Sequence, residues 1–244
     1  MTREPGLTGQ TVVVIGGSSG IGLETARQAR EEGAEVILTG RNADRLKTAA
    51  ADVGARDTAA FDATDAAALD GFFAGLPGPI DHVMVTGPGP YYAALADLDH
   101  ARTIRDFDDH QWLAVSVARN AVGRVRAGGT LLFMAGTGGR HAGPGLSVMA
   151  AATAALPALI ANLAAEVAPI RVNLIAAGFV DSPLSARLLG GDLDARRAQL
   201  RATLPIGRVV EPADVAALAV HLMTNTAITG ATYDIDGGEQ LVPG

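Results

Sequence analysis

Short apolar runs recur along the chain, and between them lie segments of helix length whose apolar residues return every three or four positions. The runs predict strands at 11–15, 35–39, 57–61, 81–85, 129–135, 170–175 and 231–235. The intervening pattern predicts helices near 20–32, 42–53, 65–74, 101–126, 147–168 and 212–224. Strand and helix alternating in this way is the signature of a parallel sheet with helices on both faces. The fold class is therefore α/β, a Rossmann-type, doubly wound parallel sheet of about seven strands. No repeat, low-complexity linker or break in composition divides it, so residues 1–244 read as a single domain.

One stretch departs from the alternation. Residues 179–212 mix Gly190-Gly191, several arginines and Pro205 with one short helical piece around 193–202. Ligands of a doubly wound sheet sit beyond the carboxyl ends of the strands, so an excursion after the sixth strand is placed to act as a substrate lid. A tolerated surface insertion is the plainer alternative.

The first strand runs directly into Gly16-Gly17-Ser18-Ser19-Gly20-Ile21-Gly22 and then into a helix. Gly16, Gly20 and Gly22 let the backbone turn tightly, approach a pyrophosphate and pack the helix against the strand. The unpaired N–H groups at the helix start form an anion site. Such a loop taken alone also suits an ordinary turn.

Composition narrows the partners. The formal net charge is -7, and the arginines form no long basic run, which argues against nucleic acid. There is no cysteine, so disulfides, thiolate metal sites and a cysteine nucleophile are excluded, and nothing else suggests a metal. Met1 to Gln10 lacks an apolar signal core, so the expected location is cytoplasmic. Leu146 to Ala165 is uncharged and long enough for a membrane span. It is rich in alanine, carries Ser147, Thr153, Pro157 and Asn162, and lies between two predicted strands, so a buried interface helix is expected and no membrane partner. Its smooth apolar faces point to a homo-oligomer.

At the end of the second strand, where a dinucleotide fold reads the adenosine ribose, stands Arg41 in place of a carboxylate. A guanidinium suits a 2′-phosphate, which favours NADP over NAD; a solvated arginine at a helix start is the alternative. Asp62 and Ala63 follow the third strand, with Asp62 placed to accept from the adenine amino group or to cap a helix.

Taken together, these features resemble the short-chain dehydrogenase/reductase family, of the type related to 3-oxoacyl carrier-protein reductases. Gly16-x-x-x-Gly20-Ile21-Gly22 is similar to that family's cofactor loop, although Ile15 stands where threonine is usual. Ile170-Arg171-Val172-Asn173, Gly178-Phe179-Val180-Asp181-Ser182 and the stretch from Arg208 to Gly238 resemble its later segments. The resemblance implies an oxidoreductase that binds NADP(H) through Gly16, Ser18, Ser19, Gly20, Ile21, Gly22, Arg41, Asp62, Ala63, Gly87 and Gly178. Ser182 would meet the nicotinamide carboxamide. It also implies a homotetramer, with a dimer as the fallback.

The departures concern the chemistry. The family transfers protons with a tyrosine four residues before a lysine, and a serine upstream. Here those positions hold Met149, Thr153 and Gly136, with Thr137 beside it, while the asparagine of the preceding helix falls near His110. Thr86-Gly87-Pro88-Gly89 replaces the usual asparagine-asparagine-alanine-glycine. No tyrosine occurs between residues 93 and 232, and Lys47 is the single lysine. A free phenol titrates at about 10, and the lysine is what makes it an acid near neutrality. Pro157 removes the N–H that would bond the Thr153 carbonyl, so it predicts a kink or freed acceptor unless the helix starts later.

His110 and His141 are substitute acids, since histidine titrates in the useful range. Tyr91 and Tyr92 line the crevice or simply pack, and Arg140 and Arg187 bind an acidic substrate or are solvated. Three readings follow. The first is hydride transfer to an acceptor that needs no tyrosine proton, an imine or conjugated alkene, or that uses a histidine acid. The second is a non-catalytic dinucleotide-binding or regulatory partner subunit. The third is an isomerase or lyase.

Overall fold

The computed structural model describes residues 6–140 and 142–242. Seven strands, β1 (Thr11–Ile15), β2 (Glu35–Gly40), β3 (Asp57–Ala60), β4 (Ile80–Val85), β5 (Val125–Gly136), β6 (Arg171–Ala177) and β7 (Thr232–Ile235), form one sheet in the order β3-β2-β1-β4-β5-β6-β7. Every pairing is parallel. Chain order reverses between β1 and β4, which opens the ligand crevice at their carboxyl ends.

Consecutive apolar residues in a strand face opposite sides, and here both sides are covered. Val13 and Ile15 join one core with Leu113 and Val117 of α4 (His100–Ala121), Leu156 and Ile160 of α5 (Ser147–Glu166), and Leu69 and Phe73 of α3 (Ala66–Gly75). Val12 and Val14 join the other, with α1 (Gly20–Glu31), α2 (Ala43–Val53) and α8 (Pro212–Thr224). Helix α5, long and apolar enough to cross a membrane, contributes Leu156, Ile160 and Leu163 to the first core.

Two boundaries differ from the sequence expectation. Helix α4 ends at Ala121 rather than near 126, because Gly123 turns the chain at φ +77° and β5 starts at Val125. The excursion 179–212 holds two helices, α6 (Pro183–Leu189) and α7 (Leu193–Thr203), where only the second was expected. The missed signal was local: Ser182 caps α6 and Pro183 occupies its first turn. Phe179 packs on Leu200, Leu204 and Val209, so the excursion has a small core of its own.

Arg171 holds β6 in place from inside the molecule, only 6% exposed. Among the described residues no carboxylate pairs with it. Its guanidinium donates to the carbonyls of Leu222 and Met223 at 2.8 Å, Asn225 at 3.0 Å, Gly128 at 3.1 Å and Ile228 at 3.2 Å. The last turn of α8 presents its unpaired carbonyls and negative dipole end to this charge, which offsets the cost of burying it.

Candidate functional site

The glycine turn after β1 is closed against its neighbours. A Cβ on Gly16, whose φ is +88°, would lie 2.1 Å from the Thr86 hydroxyl, and one on Gly22 would lie 2.4 Å from the Gly16 carbonyl oxygen. Thr86 ties the following β4 loop to the turn, donating from its backbone to the Ile15 carbonyl at 3.0 Å and from its hydroxyl at 3.1 Å. Ser18 is buried and Ser19 is the N-cap of α1, with no side-chain capping bond. Among the described residues neither hydroxyl has a partner, so both stand ready beside the free N–H groups of the helix start.

The end of β2 borders the same turn, since a Cβ on Gly40 would lie 3.1 Å from the Ser18 hydroxyl oxygen. Beyond it, Arg41 is exposed and makes no ion pair among the described residues. Asn42 caps α2, accepting from the Arg45 N–H at 2.8 Å. Asp62 does not cap α3; Asp65 does, accepting from Ala67 and Ala68. Asp62 instead accepts from the backbone and hydroxyl of Thr64 through one oxygen. Burial, and then the charge of Asp62, raise the carboxyl of Asp109 above the usual range. Ala63 is half-buried beside Asp62.

Gly178 ends β6 with no room for a side chain, since a Cβ there would sit 2.7 Å from Asp236 and Glu239 side-chain atoms. The Ser182 hydroxyl is taken up by Ser185, accepting from its N–H at 3.4 Å and pairing with its hydroxyl at 3.0 Å. Pro183 lies 3.7 Å from where a Gly20 Cβ would stand, so the start of the excursion faces the glycine turn across the crevice. The excursion is pinned there. Arg197 of α7 makes two hydrogen bonds to Asp181, at 2.7 and 2.8 Å, and Arg196 reaches Glu239 at 2.6 Å.

At the other end of the crevice, Gly136 and Thr153 line one pocket, and Met149 lies one turn before Thr153 on α5. Gly136 closes β5 opposite Ala177, Met149 is buried in the first turn of α5, and Thr153 follows one turn later. The Thr153 hydroxyl turns back into its own helix, donating to the Met149 carbonyl at 2.7 Å. A turn of 3-10 helix, Thr137–Arg140, folds over it so closely that a Cβ on Gly139 would lie 2.9 Å from that hydroxyl oxygen. Pro157 lies inside α5, which settles its place in the middle of the helix.

His110 sits on α4 with Nδ1 2.7 Å from the Asp106 carbonyl oxygen and 3.7 Å from its carboxylate. Burial raises the Asp106 carboxyl, while His110, Arg102 and the Tyr91 backbone pull it down. His141 lies outside the described residues. Tyr91 packs: its hydroxyl accepts from the Asp99 N–H at 3.1 Å, and Arg102 stacks on its ring at 4.0 Å. Burial and the Asp106 charge push the Tyr92 phenol up, the opposite of what an acid near neutrality needs. Gly87 follows Thr86 at φ +74°. Arg140 is exposed, and its guanidinium is held by Asp234 and Gln240. Arg187 is exposed.

A family model described as enoyl-(acyl carrier protein) reductase matches residues 15–240. The chain belongs to the short-chain dehydrogenase/reductase family. It is 29% identical to the short-chain dehydrogenase/reductase ATR9 of Stachybotrys chlorohalonatus, covering 97% of this chain and 99% of that protein. It is 28% identical to the NADP-dependent (R)-specific alcohol dehydrogenase of Lentilactobacillus kefiri, covering 95% and 97%. Among solved structures, BdcA in complex with NADPH superposes with a TM-score of 0.84 at 26% identity, over 96% of this chain and 95% of that one. Among the described residues no cluster of His, Asp and Glu is arranged to hold a metal ion.

Proposed function

We propose that this family member is an NADP(H)-dependent oxidoreductase whose hydride acceptor needs no proton from a tyrosine. The observation that carries the reading is the contrast within one crevice. The Ser18 and Ser19 hydroxyls and the Arg41 guanidinium are uncommitted on the cofactor side, while Gly136, Met149 and Thr153 offer no titratable group on the other. The NADPH complex of BdcA and the NADP-dependent alcohol dehydrogenase support the cofactor.

In this reading Ser18, Ser19 and the start of α1 hold the pyrophosphate. Arg41 holds the 2′-phosphate through its fork of donors. Asp62 accepts from the adenine amino group through the oxygen that Thr64 leaves open. The bound dinucleotide supplies a hydride. An iminium carbon takes that hydride and becomes an amine without a proton at the same moment, so the absent tyrosine is no loss. A conjugated alkene needs one proton afterwards. This reading assigns that work to His110, whose Nδ1 donates to the Asp106 carbonyl and leaves Nε2 to carry the moving proton.

The test is calorimetric titration with NADPH, followed by its consumption with cyclic imines, enones and simple ketones. Binding, with turnover of imines or enones and none of ketones, is the expected result. Binding without turnover of any acceptor would favour the second reading, a dinucleotide-binding partner subunit. That reading draws on the simultaneous loss of all the proton-transfer positions. Self-association follows from the outer stripe of α5, where Ala151, Ala155 and Ala158 are exposed. A tetramer, or a dimer, is expected on size-exclusion chromatography with light scattering.

A further inference from the structure

A cavity of about 220 Å³ lies under the 3-10 turn, between α5 and the sheet, on the side of α5 that faces β7. Its floor is Ala135 of β5 with Leu174 and Ala176 of β6, and its helical wall is Thr153 and Pro157. Gly136 reaches its edge, and Ala154, exposed on α5, stands at its open side. Gly136 and Thr153, which the family resemblance sets against a serine and a lysine, are both among its lining residues.

The polar groups around this space are spoken for. The Thr153 hydroxyl is bonded within its own helix, to the Met149 carbonyl at 2.7 Å and the Ala150 carbonyl at 3.3 Å, so the residue offers its methyl. Arg140 borders the roof, yet its charge is held by Asp234 and Gln240, so it contributes an apolar stem. One acceptor is an exception: Pro157 has no N–H, so the Thr153 carbonyl lacks its usual helical donor. An engineered apolar cavity of ~150 Å³ takes up benzene, which sets the scale for what a larger one admits.

We propose that this cavity is a binding site for a small neutral ring compound, up to two fused rings in size, apolar except for one hydrogen-bond donor that meets the Thr153 carbonyl. The site stands on the cavity alone and holds whether or not hydride is transferred. An anion is disfavoured, because the only guanidinium at the roof is already paired.

Calorimetric titration of the full chain with indole, 1-methylindole and benzoate tests it, with no nucleotide present. Indole is expected to bind one saturable site with a Kd of about 1 mM or tighter. 1-Methylindole, which lacks the N–H, is expected to bind about fivefold more weakly. Benzoate is expected to be weaker by at least about tenfold. Ala176→Leu fills the floor and Ala154→Phe fills the open side; each is expected to weaken indole about tenfold. Ala154 is exposed on its helix, so that variant folds even where Ala176→Leu does not. Absence of saturable indole binding, benzoate binding as tight as indole, equal binding of the two indoles, or wild-type affinity in Ala154→Phe would overturn the proposal.

Discussion

The two ends of the crevice treat their polar groups in opposite ways. Around β1, α1 and β2, the Ser18 and Ser19 hydroxyls and the Arg41 guanidinium have no protein partner among the described residues, although each is of a type that readily finds one. Around β5, α5 and the excursion, the Thr153 hydroxyl is bonded to its own helix, Arg140 to Asp234, and Ser182 to Ser185. A group left unsatisfied in a folded chain is a group reserved for a ligand, whereas one satisfied internally must break a bond before it can act. The first end is prepared for a phosphate-bearing molecule. The second has closed on itself and left apolar space.

The largest way to break this contrast is at the cradle. Gly22→Ala puts a methyl 2.4 Å from a backbone oxygen that cannot swing aside. NADPH affinity is expected to fall at least about a hundredfold, close to 3 kcal/mol, in a calorimetric titration. The same substitution should leave indole binding in the cavity under the 3-10 turn intact, which separates the two ends directly.

His82 lies near the amino-terminal end of β4, at the end of the sheet away from the crevice, and gives an effect of similar size on stability alone. It is 3% exposed, its Nε2 is 2.6 Å from the Gln10 side-chain oxygen, and burial followed by the Arg171 charge lowers its pKa from 6.5 to about 4. Because the folded value lies below the unfolded one, unfolding takes up a proton between those limits. The stability conferred by neutral His82 is full above pH 6.5 and is lost as pH falls toward 4, by about 3 kcal/mol. Denaturant unfolding as a function of pH should show this slope. In His82→Asn it should be flattened.

Arg41→Ala probes the open end more finely. NADPH is expected to bind ~30-fold more weakly, with NADH unchanged, since only the former carries the extra phosphate. Equal weakening of both would remove the assignment of Arg41. The smallest effect is expected at the closed end. Gly136→Ser meets nothing nearer than 3.8 Å, so its stability should shift by no more than ~0.5 kcal/mol. Combined with Met149→Tyr and Thr153→Lys it should confer measurable ketone reduction, though the lysine must push Gly139 away from α5 to reach the crevice.

Much of this was legible along the chain. Each of the seven strands appears where the sequence predicts it; the central strands are covered on both faces and leave few positions for polar residues, while the edge strands β3 and β7 are exposed or half-buried. The glycine cradle was legible for a steric reason, since the close approaches at Gly16 and Gly22 admit no other residue. Helix α6 was missed although Ser182-Pro183 announces it, because a seven-residue helix is too short to show a periodicity. The pairing of the exposed Arg140 with Asp234 and Gln240 was not legible, because those partners lie about a hundred residues away and no local pattern records a contact of that separation.

The amino-acid sequence by itself determined the order of strands and helices, the cradle, and the absence of a tyrosine and lysine pair from α5. Periodicity, glycine sterics and residue identity are local properties. Only the tertiary structure decided which polar groups are spent and which are free, and that a cavity of about 220 Å³ lies between α5 and the sheet. Hydrogen-bond satisfaction and empty volume depend on groups brought together from distant parts of the chain, and the reading of this crevice rests on both.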